Sequence, residues 1–268
     1  MRIDVLTNDG SPLGVTSRTI WGDGFRVGVG GAELALLTMC EEWTKAGHEV
    51  ILYNNPWEVN ASPFGQKPIS AFDALGNRDV LIVFRSPNPR AIVAKAKLKV
   101  WWSCDQQTIG DYAKFAPHVD KIVCISPYHA EYFSKTYNIN RAIVIDPPVR
   151  FADFENLPLE KDLKQIIFTS IPTRGLANLR GMWPVLAEKV PGVSLVITSD
   201  YRLWGAPTSG NATFVAQWIT QGNVQFLGAL PRQEYLARLA HASILLYPCS
   251  YDELFCYSVA EAGALGTY

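Results

Sequence analysis

Concentrated positive charge is missing from this 268-residue chain, in which 24 Lys and Arg stand against 25 Asp and Glu for a formal net charge of −1. With no basic cluster of five or more residues, a nucleic-acid partner has no electrostatic footprint and a polybasic membrane contact is equally unsupported. Long apolar runs are missing as well. Met1 to Leu6 opens straight into a strand-like pattern without a signal-peptide core, and nothing resembles a spanning helix, so no transmembrane segment and a cytoplasmic location are expected. Histidine is sparse: His48, His118, His129 and His241 lack a catalytic context, and no general base is assigned. The five cysteines, Cys40, Cys104, Cys124, Cys249 and Cys256, are odd in number and lack metal-ligand spacing, so they read as reduced thiols with no metal site. Internal repeats and low-complexity tracts are absent.

What is present is an ordinary globular composition, 48% hydrophobic and 18% charged, in a chain long enough for two cores. Strand-like runs alternate with helical patterns, which argues for parallel sheets built from βαβ units. The first half predicts strands at 2–6, 49–53, 80–84, 99–102, 121–125 and 142–145. Its clearest helix covers 32–46 and stops at Gly47. A polar, proline-punctuated stretch follows Asp146, and the alternation restarts with strands at 165–169, 194–198, 224–226 and 244–247. Helices are expected near 176–188, 214–220, 233–241 and 258–264. The expected division is therefore a first Rossmann-like domain over 1–147, a linker over 148–164 and a second over 165–268. Eight Trp and 12% aromatic residues suit core packing, with stacking on sugar rings as the alternative.

The most informative stretch is the apolar run Ile244 to Pro248 followed by a loop carrying Glu253 and a helix carrying Ser258 and Glu261. In open α/β sheets the carboxyl ends of strands bind ligands. The backbone N–H groups from Phe255 through Cys256 to Ser258 would lie unpaired at the helix start, where phosphate binds, and a carboxylate further along can accept sugar hydroxyls. Two glutamates at this spacing also occur on plain amphipathic helices. The preceding strand and the small residues Ala262 to Gly266 behind them favour a nucleotide-sugar site. Gly28 to Glu33 superficially suggests a dinucleotide fingerprint, but Glu33 replaces its third glycine and the motif lies far beyond the first strand, so a nicotinamide or flavin enzyme is disfavoured.

The Glu, seven residues, Glu pattern with its glycine-rich sequel resembles the signature of retaining, nucleotide-sugar-dependent glycosyltransferases of the GT-B fold, family 4-like (glycosyl transferases group 1). That resemblance implies two Rossmann-like domains facing across a cleft, the donor held mainly by the second. It implies that Glu253 contacts the donor sugar, that Glu261 binds ribose, and that Phe255, Cys256 and Ser258 meet the diphosphate. Gly30 and Gly31 resemble the loop that lets backbone approach the phosphate, and Arg174 before Gly175 resembles the basic residue that meets the leaving diphosphate. Ser170 stands where relatives carry a further Arg. Asp105 matches the Asp of a His-Asp pair near the reacting sugar, with Cys104 in place of the His; helix capping is the alternative. Gly228, after the strand at 224–226, resembles the segment that reads the nucleotide base.

The implied activity is transfer of a hexose-type sugar from a UDP-, GDP- or ADP-sugar to a glycan, lipid-linked or other hydroxyl acceptor with retention. No separate cofactor or metal is expected, because protein groups meet the leaving charge. A non-catalytic nucleotide-sugar or glycan-binding remnant and a nucleotide-sugar epimerase of the same fold are the alternatives. Family members continue beyond the equivalent of Tyr268, so the second domain is expected to be incomplete, with one sheet edge open.

Overall fold

A computed structural model describes residues 1–8, 28–56, 62–158, 160–204, 210–218 and 220–268. The chain divides into two compact units, with the passage from one to the other at Pro148 and Val149. Residues 28–31 group with the second unit although they precede most of the first in sequence.

The first unit is a seven-stranded, wholly parallel sheet in the order β3-β2-β1-β4-β5-β6-β7. Its elements run β1 (Arg2–Leu6), α1 (Gly31–Lys45), β2 (Glu49–Tyr53), β3 (Gly65–Lys67), β4 (Val80–Phe84), α2 (Pro89–Val93), β5 (Leu98–Trp102), α3 (Tyr112–Phe115), β6 (Lys121–Cys124), α4 (Pro127–Tyr137) and β7 (Ala142–Val144). β4, at the centre, is apolar throughout because a parallel sheet is covered on both faces, whereas its neighbour β1 carries Asp4, buried and paired with Arg78 at 2.7 Å. Trp101 anchors one core, its ring 4.8 Å from Tyr112, 5.4 Å from Phe115 and 5.5 Å from Phe133. The sequence reading missed β3, whose Gly65, Gln66 and Lys67 carry no apolar signal and which pairs at the sheet edge beside β2.

The second unit holds β8 (Asp162–Phe168), α5 (Leu176–Lys189), β9 (Ser194–Ile197), α6 (Ala212–Trp218), β10 (Val224–Phe226), α7 (Arg232–His241), β11 (Ala242–Leu245) and α8 (Tyr257–Ala264). Its four parallel strands are ordered β10-β9-β8-β11. Period-two alternation sorts them between two cores. Ile166, Phe168, Leu195 and Ile197 pack with Leu176, Leu179 and Trp183 of α5 and with Trp218. Ile167 and Val196 turn the other way, toward Leu236 and Leu239 of α7 and Ala262 of α8.

Several boundaries differ from expectation. β8 begins at Asp162, three residues inside the expected linker, and a short 3₁₀ turn occupies Phe151–Phe154. β11 sits two residues earlier than expected, because Ala242 already pairs with Asp162 across a register shift before Ile244 meets Ile166. Ile219, within the helix expected near 214–220, lies outside the described residues. On the free side of β11, Tyr268 donates its N–H to the Ser243 carbonyl at 2.9 Å and accepts from the Leu245 N–H at 2.8 Å, which is the hydrogen-bond pattern of a parallel ladder. Four tryptophans, Trp101, Trp102, Trp183 and Trp218, are buried, which settles those four as core. No helix among the described residues is long and apolar enough to cross a membrane.

Candidate functional site

The turn after β8 and the loop after β11 meet at the carboxyl edge of the second sheet. After β8 the chain makes the 3₁₀ turn Pro172–Arg174, and Gly175 at φ +110° begins α5. A side chain at Gly175 is excluded twice, by its left-handed backbone and because a Cβ would lie 2.6 Å from the Pro248 carbonyl oxygen. Asn178 Nδ2 donates to that same oxygen at 2.9 Å. Arg174 is thereby held against the 248–253 loop, where its Nη1 meets Glu253 Oε1 at 2.5 Å. Its guanidinium carbon lies 3.8 Å from the centre of the Tyr251 ring, a cation–π contact. Tyr247 Oη donates to the same Glu253 oxygen at 2.6 Å. Burial, with Glu253 beside it, raises the Tyr247 phenol far above its ordinary range, so it stays protonated. Arg174 and Glu253 side chains remain 26% and 27% exposed, open to a ligand.

Beside them α8 begins after Cys256, whose side chain makes no capping bond. Burial raises the Cys256 thiol even though the N–H groups of Val259 and Ser258 favour its thiolate, so it is a neutral group. Ser258 Oγ donates to the Thr169 carbonyl at 3.3 Å, tying α8 to the end of β8. Phe255 and Ser258 are partly exposed, and the Phe255 ring sits edge-on to Tyr257 at 5.2 Å.

Glu261 is elsewhere. It is 2% exposed, with Oε1 2.6 Å from Arg232 Nη1 and Oε2 accepting from Tyr235 Oη at 2.9 Å. Arg232 also donates Nε to Asp153 Oδ2 at 2.8 Å, and Arg150 reaches that oxygen at 3.1 Å. Burial raises the Glu261 carboxyl, and Arg232 offsets this only in part. Burial alone would lower Arg232, but Glu261 and Asp153 raise it overall. The sequence reading did not find Arg232; its signal is a basic residue in the first turn of α7, where the helix dipole disfavours it.

Gly228 follows β10 at φ +71°. The next amide, Ala229 N–H, donates to Asp200 Oδ2 at 3.2 Å, while Arg202 grips the same carboxylate with Nη2 at 2.6 Å. Burial pushes Asp200 up, but the Arg202 bonds outweigh it and hold the carboxyl below its ordinary value. Gly30 and Gly31 lie partly exposed just before and at the start of α1. A Cβ at Gly31 would lie 2.5 Å from the Tyr257 ring, so the glycine is required by close packing.

In the first unit, Asp105 does not cap a helix; Asp111 caps α3. Instead Asp105 is held bidentately by Arg85, whose Nε lies 2.5 Å from Oδ2 and Nη2 3.2 Å from Oδ1. Arg85 Nη1 donates to Glu33 Oε1 at 2.7 Å. The Arg85 backbone is left-handed at φ +66°, an uncommon conformation for a residue other than glycine. It is fixed by donation to the Trp102 carbonyl at 2.8 Å and by acceptance from Trp101 Nε1 at 3.0 Å. Arg85 was also missed; a charged residue directly after the apolar β4 was its signal. Burial pushes the adjacent Cys104 thiol well up, reinforced by Asp105. His129 is fully buried, accepts from the Ile125 N–H at Nδ1 and is lowered by burial to about 4, so it is neutral. Among the described residues no three His, Cys, Asp or Glu gather as metal ligands.

No protein-family model and no curated protein matches the sequence. Solved structures do match in fold. A glycosyltransferase from Rickettsia africae aligns over 98% of this chain and 76% of its own, at 14% identity and a TM-score of 0.68. Sucrose-phosphate synthase from Thermosynechococcus elongatus aligns over 100% and 80%, at 14% identity and 0.65. An alpha-glucosyltransferase in complex with UDP and a 13-mer DNA containing a HMU base aligns over 100% and 78%, at 14% identity and 0.60. The two Rossmann-like units of this chain therefore have the fold of GT-B glycosyltransferases.

Proposed function

We propose that this chain is a glycosyltransferase that binds a nucleoside-diphosphate sugar in its second unit and moves the hexose, with retention, to a hydroxyl acceptor such as a glycan. The observation that carries this reading is the meeting of Arg174 and Glu253, 79 residues apart in sequence, at the carboxyl edge of the sheet. A diphosphate leaving group needs fixed positive charge where its own charge develops, and Arg174 supplies it next to the α8 N-terminus. Phe255, Cys256 and Ser258 would offer backbone N–H groups to the phosphates, Gly30 and Gly31 would let backbone approach them, and Gly228 would flank the base. Glu253 would face the donor sugar. Glu261 would receive ribose hydroxyls on the lone pairs that Arg232 and Tyr235 leave, since a carboxylate has about four acceptor positions. Asp105, clamped by Arg85, would orient a sugar from the first unit. These roles involve no metal or separate cofactor.

Because one neighbour was solved with UDP, UDP-sugars head the donors to try, followed by GDP- and ADP-sugars. The test is a thermal-shift screen of these donors on the full chain, followed by NMR of the released or transferred sugar. A raised melting temperature with one donor, and product of unchanged anomeric configuration, is expected. Absence of any donor shift overturns the binding assignment, and inverted product overturns retention.

A further inference from the structure

We propose that Arg174 is a shared guanidinium: Glu253 holds it until a diphosphate takes it, and Tyr247 keeps Glu253 in place through the exchange. This rests on the donor-binding reading above and adds a competition inside that site. Arg174 Nη1 and Tyr247 Oη both point at Glu253 Oε1, at 2.5 and 2.6 Å. Loss of the arginine to another anion thus leaves Glu253 anchored by the phenol. The pair is about a quarter exposed on each side, so solvent screens it and a ligand can reach it. A diphosphate presents more negative charge and more acceptor oxygens to the guanidinium fork than a single carboxylate oxygen does. The Tyr251 face, 3.8 Å from the guanidinium carbon, supports the arginine in either pairing.

The consequence is counterintuitive for a binding-site residue. Glu253 opposes diphosphate binding, both by occupying Arg174 and by placing a negative charge beside the phosphates. Neutralising it should tighten the nucleotide while the loss of its carboxylate damages transfer. Tyr247 is then a positioning residue, which acts through Glu253 on turnover and leaves nucleotide affinity alone.

Calorimetric titration of the full chain with UDP, GDP, ADP and inorganic pyrophosphate tests this. Glu253→Gln should tighten the bound species by up to about fivefold, the scale of a partly exposed ion pair, and Arg174→Ala should weaken it. Tyr247→Phe should leave that affinity unchanged while lowering kcat for donor turnover by about tenfold or more, as a displaced carboxylate would. If Arg174→Ala weakens binding but Glu253→Gln leaves it unchanged or weaker, the sharing is wrong and the donor site stands. An unchanged kcat in Tyr247→Phe removes the positioning role. If none of the four compounds binds the unaltered chain, the donor reading falls and takes this proposal with it.

Discussion

Glu253 and Glu261 come from one nine-residue stretch, and each meets an arginine at nearly the same distance, 2.5 and 2.6 Å. Their surroundings differ. The Arg174–Glu253 pair has side chains 26% and 27% exposed, whereas Arg232 and Glu261 are 6% and 3% exposed and are joined by Asp153. A carboxylate that water still reaches can exchange partners at little cost. One sealed from water cannot lose its partner without leaving an uncompensated charge, so the same two residue types make a responsive contact in one place and a structural tie in the other. Proximity in the sequence motif says nothing about this; desolvation decides it.

The largest effect that sharpens the contrast is on stability. Arg232→Ala leaves Glu261 and Asp153 buried without their shared cation, and should destabilise the second unit by about 3 to 5 kcal/mol. Urea unfolding measures it. A loss no larger than that of a surface substitution would mean that Glu261 and Asp153 find other partners or water, and the distinction between the two pairs would collapse.

That tie was invisible in the sequence for a physical reason. The strand and helix alternation was legible because strands buried on both faces are mostly apolar, and the end of β8 and the start of α8 were placed within a few residues. Arg174 and Glu253 were each legible from local context, but their pairing joins two loops and depends on the strand order β8-β11. Arg85 is 52 residues from Glu33 and 20 from Asp105; only the sheet order that sets β4 beside β5 unites them. Helix phase places Glu261 on α8 but does not reveal that α7 brings Arg232 and Tyr235 onto its carboxylate. Asp200 was missed for the same reason, since its partners include the amide after Gly228 on a different strand end.

The next effect is on turnover. Arg174→Ala should lower donor turnover by about a hundredfold, the scale of removing one donor to developing charge. It should change unfolding free energy by no more than about 1 kcal/mol, because the pair is partly solvated. Steady-state kinetics with a donor identified by the screen and a urea titration of the same sample separate the two. Normal turnover in the folded variant would make Arg174 a surface residue. A stability loss comparable to Arg232→Ala would make both pairs structural.

The smallest effect is in the pH dependence of stability. Burial raises the folded Glu261 carboxyl above its unfolded value of about 4.5. In the window between those two values the folded chain binds the extra proton, so this group's contribution is fully present below the unfolded value and is lost as pH rises through the folded one. His129 acts oppositely: its folded value of about 4 lies below the unfolded 6.5, so its contribution is present above 6.5 and is lost as pH falls toward 4. Comparing the unaltered chain with Glu261→Gln cancels the histidine, which is common to both. The stability difference should then move in favour of the unaltered chain as pH is lowered from neutrality toward about 4.5, by urea unfolding at several pH values. A flat difference, or one that moves the other way, would show that Arg232 holds the Glu261 carboxylate ionised against its burial.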